Sequence, residues 1–131
     1  DALLMASTKS VPAGPTLTEM AWMAGIVDGE GDVGFSSSPT IQVETVTPSL
    51  AYIPQELFGG SVTIRERHGA SIFRWSVSGN HAILVLAQLM PFLRYKKRQA
   101  EIVVNAGKYP VKSAMRAAHA TRLKTLRKQR Y

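Results

Sequence analysis

The chain has 131 residues, 45% of them hydrophobic, no cysteine and a formal net charge of +7. That length suits one domain with enough apolar material for a core, and no apolar run is long enough to span a membrane. The absence of cysteine excludes disulfides, thiolate metal sites and a cysteine nucleophile, and it suits a reducing compartment. The charge is divided: residues 1–93 carry four Lys/Arg against eight Asp/Glu, and residues 94–131 carry twelve against one. A basic end this dense suits a polyanion, nucleic acid first. A solvated helix face or a basic tail has the same composition.

Residues 1–15, rich in Ser, Thr, Pro and Gly, read as a flexible arm without the charged start and apolar core of a signal peptide. Residues 16–108 read as the core domain and 109–131 as a basic C-terminal helix. Thr16 and Glu19 form a capping-box pair, which predicts a helix from Leu17 to about Gly29. Gly31–Ser38 and Thr40–Val46 alternate in hydropathy and read as half-buried strands. Thr47-Pro48 marks a helix start. That helix runs to Phe58, and Pro54 should kink or break it. Ser61–Arg67 and Ser71–Ser78 form the next strand pair, turning at His68-Gly69-Ala70. Val62, Ile64, Phe73, Trp75 and Val77 are its expected buried face. A helix follows from Gly79 to Leu89, broken at Pro91-Phe92-Leu93, then helices over Lys96–Ala106 and Val111–Lys128. The order αββαββα plus C-terminal helices gives an α+β architecture, one antiparallel sheet with helices on a single face.

If helices cover Val33, Phe35, Ile41, Val43, Phe73 and Trp75, the opposite sheet face has no core to join. Its residues are Asp32, Gly34, Ser36, Thr40, Gln42, Glu44, Thr63, Arg65, Arg67, Arg74 and Ser76. A two-stranded ribbon fits the DNA major groove, where arginine reads guanine and glutamine reads adenine. Arg65, Arg67, Arg74 and Gln42 are the expected base readers. An ordinary solvated sheet face would carry similar residues.

The densest chemistry lies in Met23-Ala24-Gly25-Ile26-Val27-Asp28-Gly29-Glu30-Gly31. A helix with small residues ends in spaced carboxylates, donors that suit a hard divalent cation. A calcium loop starting at Asp28 fails on spacing, because Val33 stands where its glycine should be and Pro39 where its closing glutamate should be. The nine residues resemble the LAGLIDADG motif of homing endonucleases: Ala24, Gly25, Asp28 and Gly31 match, and Glu30 replaces the second aspartate. Phe58-Gly59-Gly60-Ser61-Val62 resembles that family's turn into its third strand. Pro91-Phe92-Leu93-Arg94-Tyr95-Lys96-Lys97-Arg98-Gln99-Ala100 resembles its late P-[FY]-L-x-x-K-x-x-Q segment. Together these cover about residues 17–106.

The resemblance implies a saddle-shaped sheet on DNA and, with one motif per chain, a homodimer on a long palindromic or pseudo-palindromic site. The motif helices would pack on each other through Trp22, Ala24, Gly25 and Asp28. Glu30, with Gly29 beside it, would hold Mg²⁺ or another divalent cation such as Mn²⁺. Lys96 would assist the water or the transition state. Asp28 would orient the turn or join the helix-pair contact. Such enzymes act on double-stranded DNA inside cells, in a bacterial or phage-infected cytoplasm or an organelle, from introns, inteins or free-standing genes. No membrane or small-molecule substrate is expected. One departure stands out: Thr45 occupies the place where the family often has an active-site glutamine. A non-cleaving binder on the same fold, an RNA-splicing maturase or a DNA-binding regulator, is the alternative.

Overall fold

The computed structural model describes residues 14–35, 37–107 and 114–128, with the side chains of 117–126 in the last helix. Residues 1–13 of the expected arm, Ser36 and residues 108–113 and 129–131 lie outside the described residues. Among those described, no helix is long and apolar enough to cross a membrane.

Helix α1 spans Leu17–Glu30. The capping box forms: the Glu19 amide donates to Thr16 Oγ1 at 3.1 Å, and the Thr16 amide donates to Glu19 Oε1 at 2.8 Å. Two orphan donors of the first turn are thereby satisfied. Met23, Ala24 and Val27 form its buried stripe. Gly31 ends the helix and begins β1, Gly31–Phe35. A Cβ at Gly31 would lie 2.8 Å from the Val27 Cα, so the helix-to-strand junction admits only glycine.

Strand β2, Pro39–Thr45, is followed by α2, Ser49–Phe58. The break expected at Pro54 is absent, and the helix is one element. A proline here removes the bond to the Leu50 carbonyl and crowds that carbonyl, but its ring is buried. Strands β3, Ser61–Arg67, and β4, Ala70–Ser78, meet at a two-residue turn. His68 and Gly69 have φ of 53° and 80°, the double positive φ of a type I′ hairpin. Helix α3 spans Gly79–Leu89, a 3₁₀ turn covers Met90–Phe92, and α4 and α5 span Lys97–Ala106 and Ala114–Lys128.

The four strands lie in the order β1-β2-β4-β3, each antiparallel to its neighbours. Val33, Ile41 and Val77 form one cross-strand row, and Val43, Trp75 and Val62 form another. Helices α1, α2 and α3 pack on this face. Trp75 is fully buried, and its indole N–H donates to the Gly59 carbonyl at 2.8 Å. His81 contacts the preceding carbonyl, Nε2 to Phe58 O at 2.7 Å, so the Gly59-Gly60 turn is held from two sides. Ile64, expected in the core, is 55% exposed. The far half of the β3–β4 hairpin, from Thr63 to Ser71, is exposed throughout.

Candidate nucleic-acid interface and active site

The register puts the expected readers on one surface. Asp32, Gln42 and Ser76 are paired across β1, β2 and β4; Glu44, Arg74 and Thr63 are paired across β2, β4 and β3. Arg65 and Arg67 follow Thr63 at the period of two and stay on its face. Thr40 is paired with Gly34, but Gly34 is buried and offers no side chain, so it is not a contact position in this structure. Ser36 lies outside the described residues.

Two of the three arginines on this face are already engaged. Arg74 donates from Nε at 2.8 Å and from a terminal nitrogen at 2.5 Å to Glu44 Oε2, and Arg65 donates to the same oxygen at 2.9 Å. The hydrogen bond from Arg74, reinforced by the charges of Arg74, Arg65 and Arg67, holds the Glu44 carboxyl below its ordinary 4.5 despite partial burial, which acts the other way. Sequence reading placed all these residues on one face but missed the clamp, because it depends on which residues the register sets side by side. Ile72 also shares this face, adjacent to Arg65 in the pairing.

Glu30 is exposed at the C-terminal end of α1. It lines a cleft of about 480 Å³ together with Glu44, Thr45, Arg67, Leu50 and Ile72. The fold thus brings the candidate metal ligand together with Thr45 and Arg67, residues 15 and 37 positions away in sequence. Thr45 accepts the Thr47 amide at 3.0 Å, which ends β2 one residue short of the expected Val46.

Asp28 faces elsewhere. Its carboxylate accepts the backbone amides of Arg94 at 2.8 Å, Tyr95 at 3.1 Å and Lys96 at 2.8 Å, and so caps the turn into α4. A carboxylate taking three amides is a charge-assisted clamp. The Lys96 ammonium donates to the Asp28 carbonyl at 2.8 Å. Lys96 is only 5% exposed and is not a wall of the Glu30 cleft. The late segment and the motif therefore meet, but through Asp28 rather than Glu30.

Of the residues expected at a seam on α1, one points inward. Ala24 is wholly buried in the core of its own protomer and cannot face a second copy. Trp22, Gly25 and Gly29 are exposed, and Ala21 joins them at helical spacing. Nothing lies within 4 Å of a Cβ added at Gly25 or Gly29.

Among the described residues no three His, Cys, Asp or Glu side chains gather into a metal cage. A single exposed carboxylate suits Mg²⁺ all the same, because that ion takes one or two carboxylates and completes its shell with water and phosphate oxygens.

Neither a family model nor a curated relative matches the sequence. Solved structures do. The chain is similar to the homing endonuclease I-CvuI in complex with its target in the presence of calcium, with 22% identity and a TM-score of 0.66 over 83% of this chain and 82% of that one. It is similar to the archaeal intron-encoded homing endonuclease I-Vdi141I complexed with DNA, with 16% identity and a TM-score of 0.65 over 82% and 83%. A further I-CvuI complex, with magnesium and uncleaved DNA, matches at 21% identity and a TM-score of 0.60 over 86% and 79%. The α+β fold of this chain is the fold of these homing endonucleases.

Proposed function

We propose that this protein is a metal-dependent, sequence-specific DNA endonuclease that acts as a homodimer on a pseudo-palindromic duplex site. The observation that carries this reading is Glu30: an exposed acid at the end of a helix with an unpartnered small-residue stripe, in a cleft beside a cationic sheet face. Two copies meeting through Trp22, Gly25 and Gly29 bring two Glu30 carboxylates to the centre of the combined sheet surface. Ala21 adds to the seam, and Ala24 supports it from inside the protomer.

Glu30, with the Gly29 backbone beside it, would hold Mg²⁺ or Mn²⁺. When bound there, such an ion would supply Lewis-acid stabilisation of charge developing on a phosphate. Arg67, on the wall of the same cleft, draws the phosphodiester in and offsets its charge. Thr45 offers a hydroxyl to order water there. Lys96 positions the chain: its ammonium holds the C-terminal end of α1, two residues before Glu30. Gln42, Arg65 and Arg74 read bases. Thr40, Thr63, Ser76 and Asp32 line the same surface. Beyond Arg122, the basic residues from Lys124 to Arg130 contact phosphates flanking the site; the side chains from Arg127 onward lie outside the described residues.

The test is a cleavage time course on a target selected from a random duplex library, with Mg²⁺ and with chelator. Cleavage should need the metal. Glu30→Gln keeps the shape, removes the charge, and should abolish cleavage while binding stays intact or tightens. Full activity in Glu30→Gln, or wild-type activity in chelator, refutes the mechanism. A tightly bound but uncut target favours the non-cleaving binder, and Thr45 in place of glutamine is the feature pointing that way.

A further inference from the structure

We propose that the groove between α4 and α5 is a second nucleic-acid site, and that it takes a single strand. The groove encloses about 510 Å³ and is walled by Arg94, Tyr95, Lys97, Arg98 and Arg122, with Glu101 the one acid. Ile102 forms a buried apolar floor. An adjoining hollow of about 260 Å³ shares Arg98, Ile102 and Arg122 and continues the groove along α5 to Thr125. Among the described residues, the ion pairs within 4.0 Å both end on Glu44, so none of these four cations is matched by a carboxylate. Four like charges held along one groove repel one another and are stabilised by a polyanion.

The site is separate from the sheet face. Helix α4 packs against α3 and β1, α5 packs against α4 and β1, and none of the residues lining the groove belongs to the sheet. Its mouth is fixed, because the Asp28 carboxylate grips the backbone of Arg94, Tyr95 and Lys96. Tyr95 selects the kind of strand. Its ring receives the Lys96 ammonium at 5.5 Å, yet the residue remains 52% exposed beside the cations. A base-paired duplex keeps the faces of its bases inside the stack. Only an unpaired base can lie on the tyrosine, and a cationic groove with an aromatic platform is how single strands are held without sequence preference.

The probes are a fluorescent dodecathymidylate and a fluorescent dodecauridylate, titrated by anisotropy into the full chain. Both should bind, and an excess of unlabelled duplex should leave most of that binding in place. Tighter binding of the uridylate would assign 2′-hydroxyl contacts and an RNA ligand; equal binding assigns recognition of backbone and base face common to both. The double variant Arg98→Ser, Arg122→Ser should weaken binding and lower the salt slope by about 1.4, at roughly 0.7 for each phosphate that is no longer neutralised. Tyr95→Leu should weaken it about 5- to 150-fold, and Tyr95→Phe should not, since stacking survives removal of the hydroxyl. Arg65→Ser with Arg74→Ser should leave single-strand affinity unchanged. No binding of either oligonucleotide overturns the proposal. So does an equal weakening by the sheet-face variant, or displacement by polyglutamate as effective as by oligonucleotide.

Discussion

Glu44 gives the sharpest test of how the sheet face works. One of its oxygens holds Arg74 through two nitrogens and Arg65 through a third. The side chains are 34%, 35% and 45% exposed respectively, so solvent screens the cluster. Exposed ion pairs are worth about 0.2–1 kcal/mol each, so Glu44→Gln, which removes both, should lower stability by about 0.4–2 kcal/mol. The effect on DNA should be larger and of opposite sign. Removing the acid takes a negative charge from the proposed DNA face and frees two guanidinium groups from a fixed arrangement. Affinity for random duplex should rise, and the salt slope should steepen by about 0.9 for each arginine that gains a phosphate. Discrimination at the base pairs facing Arg65 and Arg74 should fall by about 1–3 kcal/mol each, because arginines that swing freely no longer hold one register on guanine. The assay is equilibrium binding to the selected target and to its single-base variants at several salt concentrations. The pH dependence has a definite sign. The folded-state pKa of Glu44 is depressed, so the clamp is complete above the ordinary value of 4.5 and is lost only as pH falls through the lower folded value. Wild-type discrimination should therefore be flat from about pH 5 to 8 as far as Glu44 is concerned. A variant with unchanged salt slope and unchanged base preference would refute the idea that Glu44 positions the arginines. Loss of preference at a single cytosine, with both arginine positions intact, would show instead that Glu44 reads a base itself.

Gly25→Leu should leave the protomer folded, since nothing stands within 4 Å of an added Cβ, and the helix should gain up to about 1 kcal/mol in propensity. It should nevertheless prevent two chains from assembling on one duplex, which sedimentation of the complex would detect; normal assembly would rule out the α1 seam. Asp28→Ala removes the acceptor for three amides and should lower stability by about 2–3 kcal/mol, measured by urea denaturation. Its cleavage defect should exceed that of an equally destabilised core variant such as Val85→Ala, because the Arg94–Lys96 turn is anchored to the helix that carries Glu30; equal defects would make Asp28 merely structural.

Local interactions wrote much of this fold into the sequence. The Thr16–Glu19 box, the alternation of the strands and the His68-Gly69 turn each act within a few residues, and the structure carries all three. The face on which Arg65, Arg67, Arg74 and Gln42 lie followed from the period of a strand alone. Tertiary structure decided what periodicity cannot reach. Whether Ala24 or Gly25 faces outward depends on where α1 rests against the sheet. Only packing determines that Pro54 sits inside a continuous helix and that Ile64 lies beyond the cover of the helices. The Glu44 clamp needs the register of three strands. The grip of Asp28 on Arg94–Lys96 joins positions 66 to 68 residues apart. Sequence spacing fixes which residues share an element and a face, because backbone geometry repeats. Which of those residues meet across elements is set by the one packing that buries the core, and no short-range pattern encodes it.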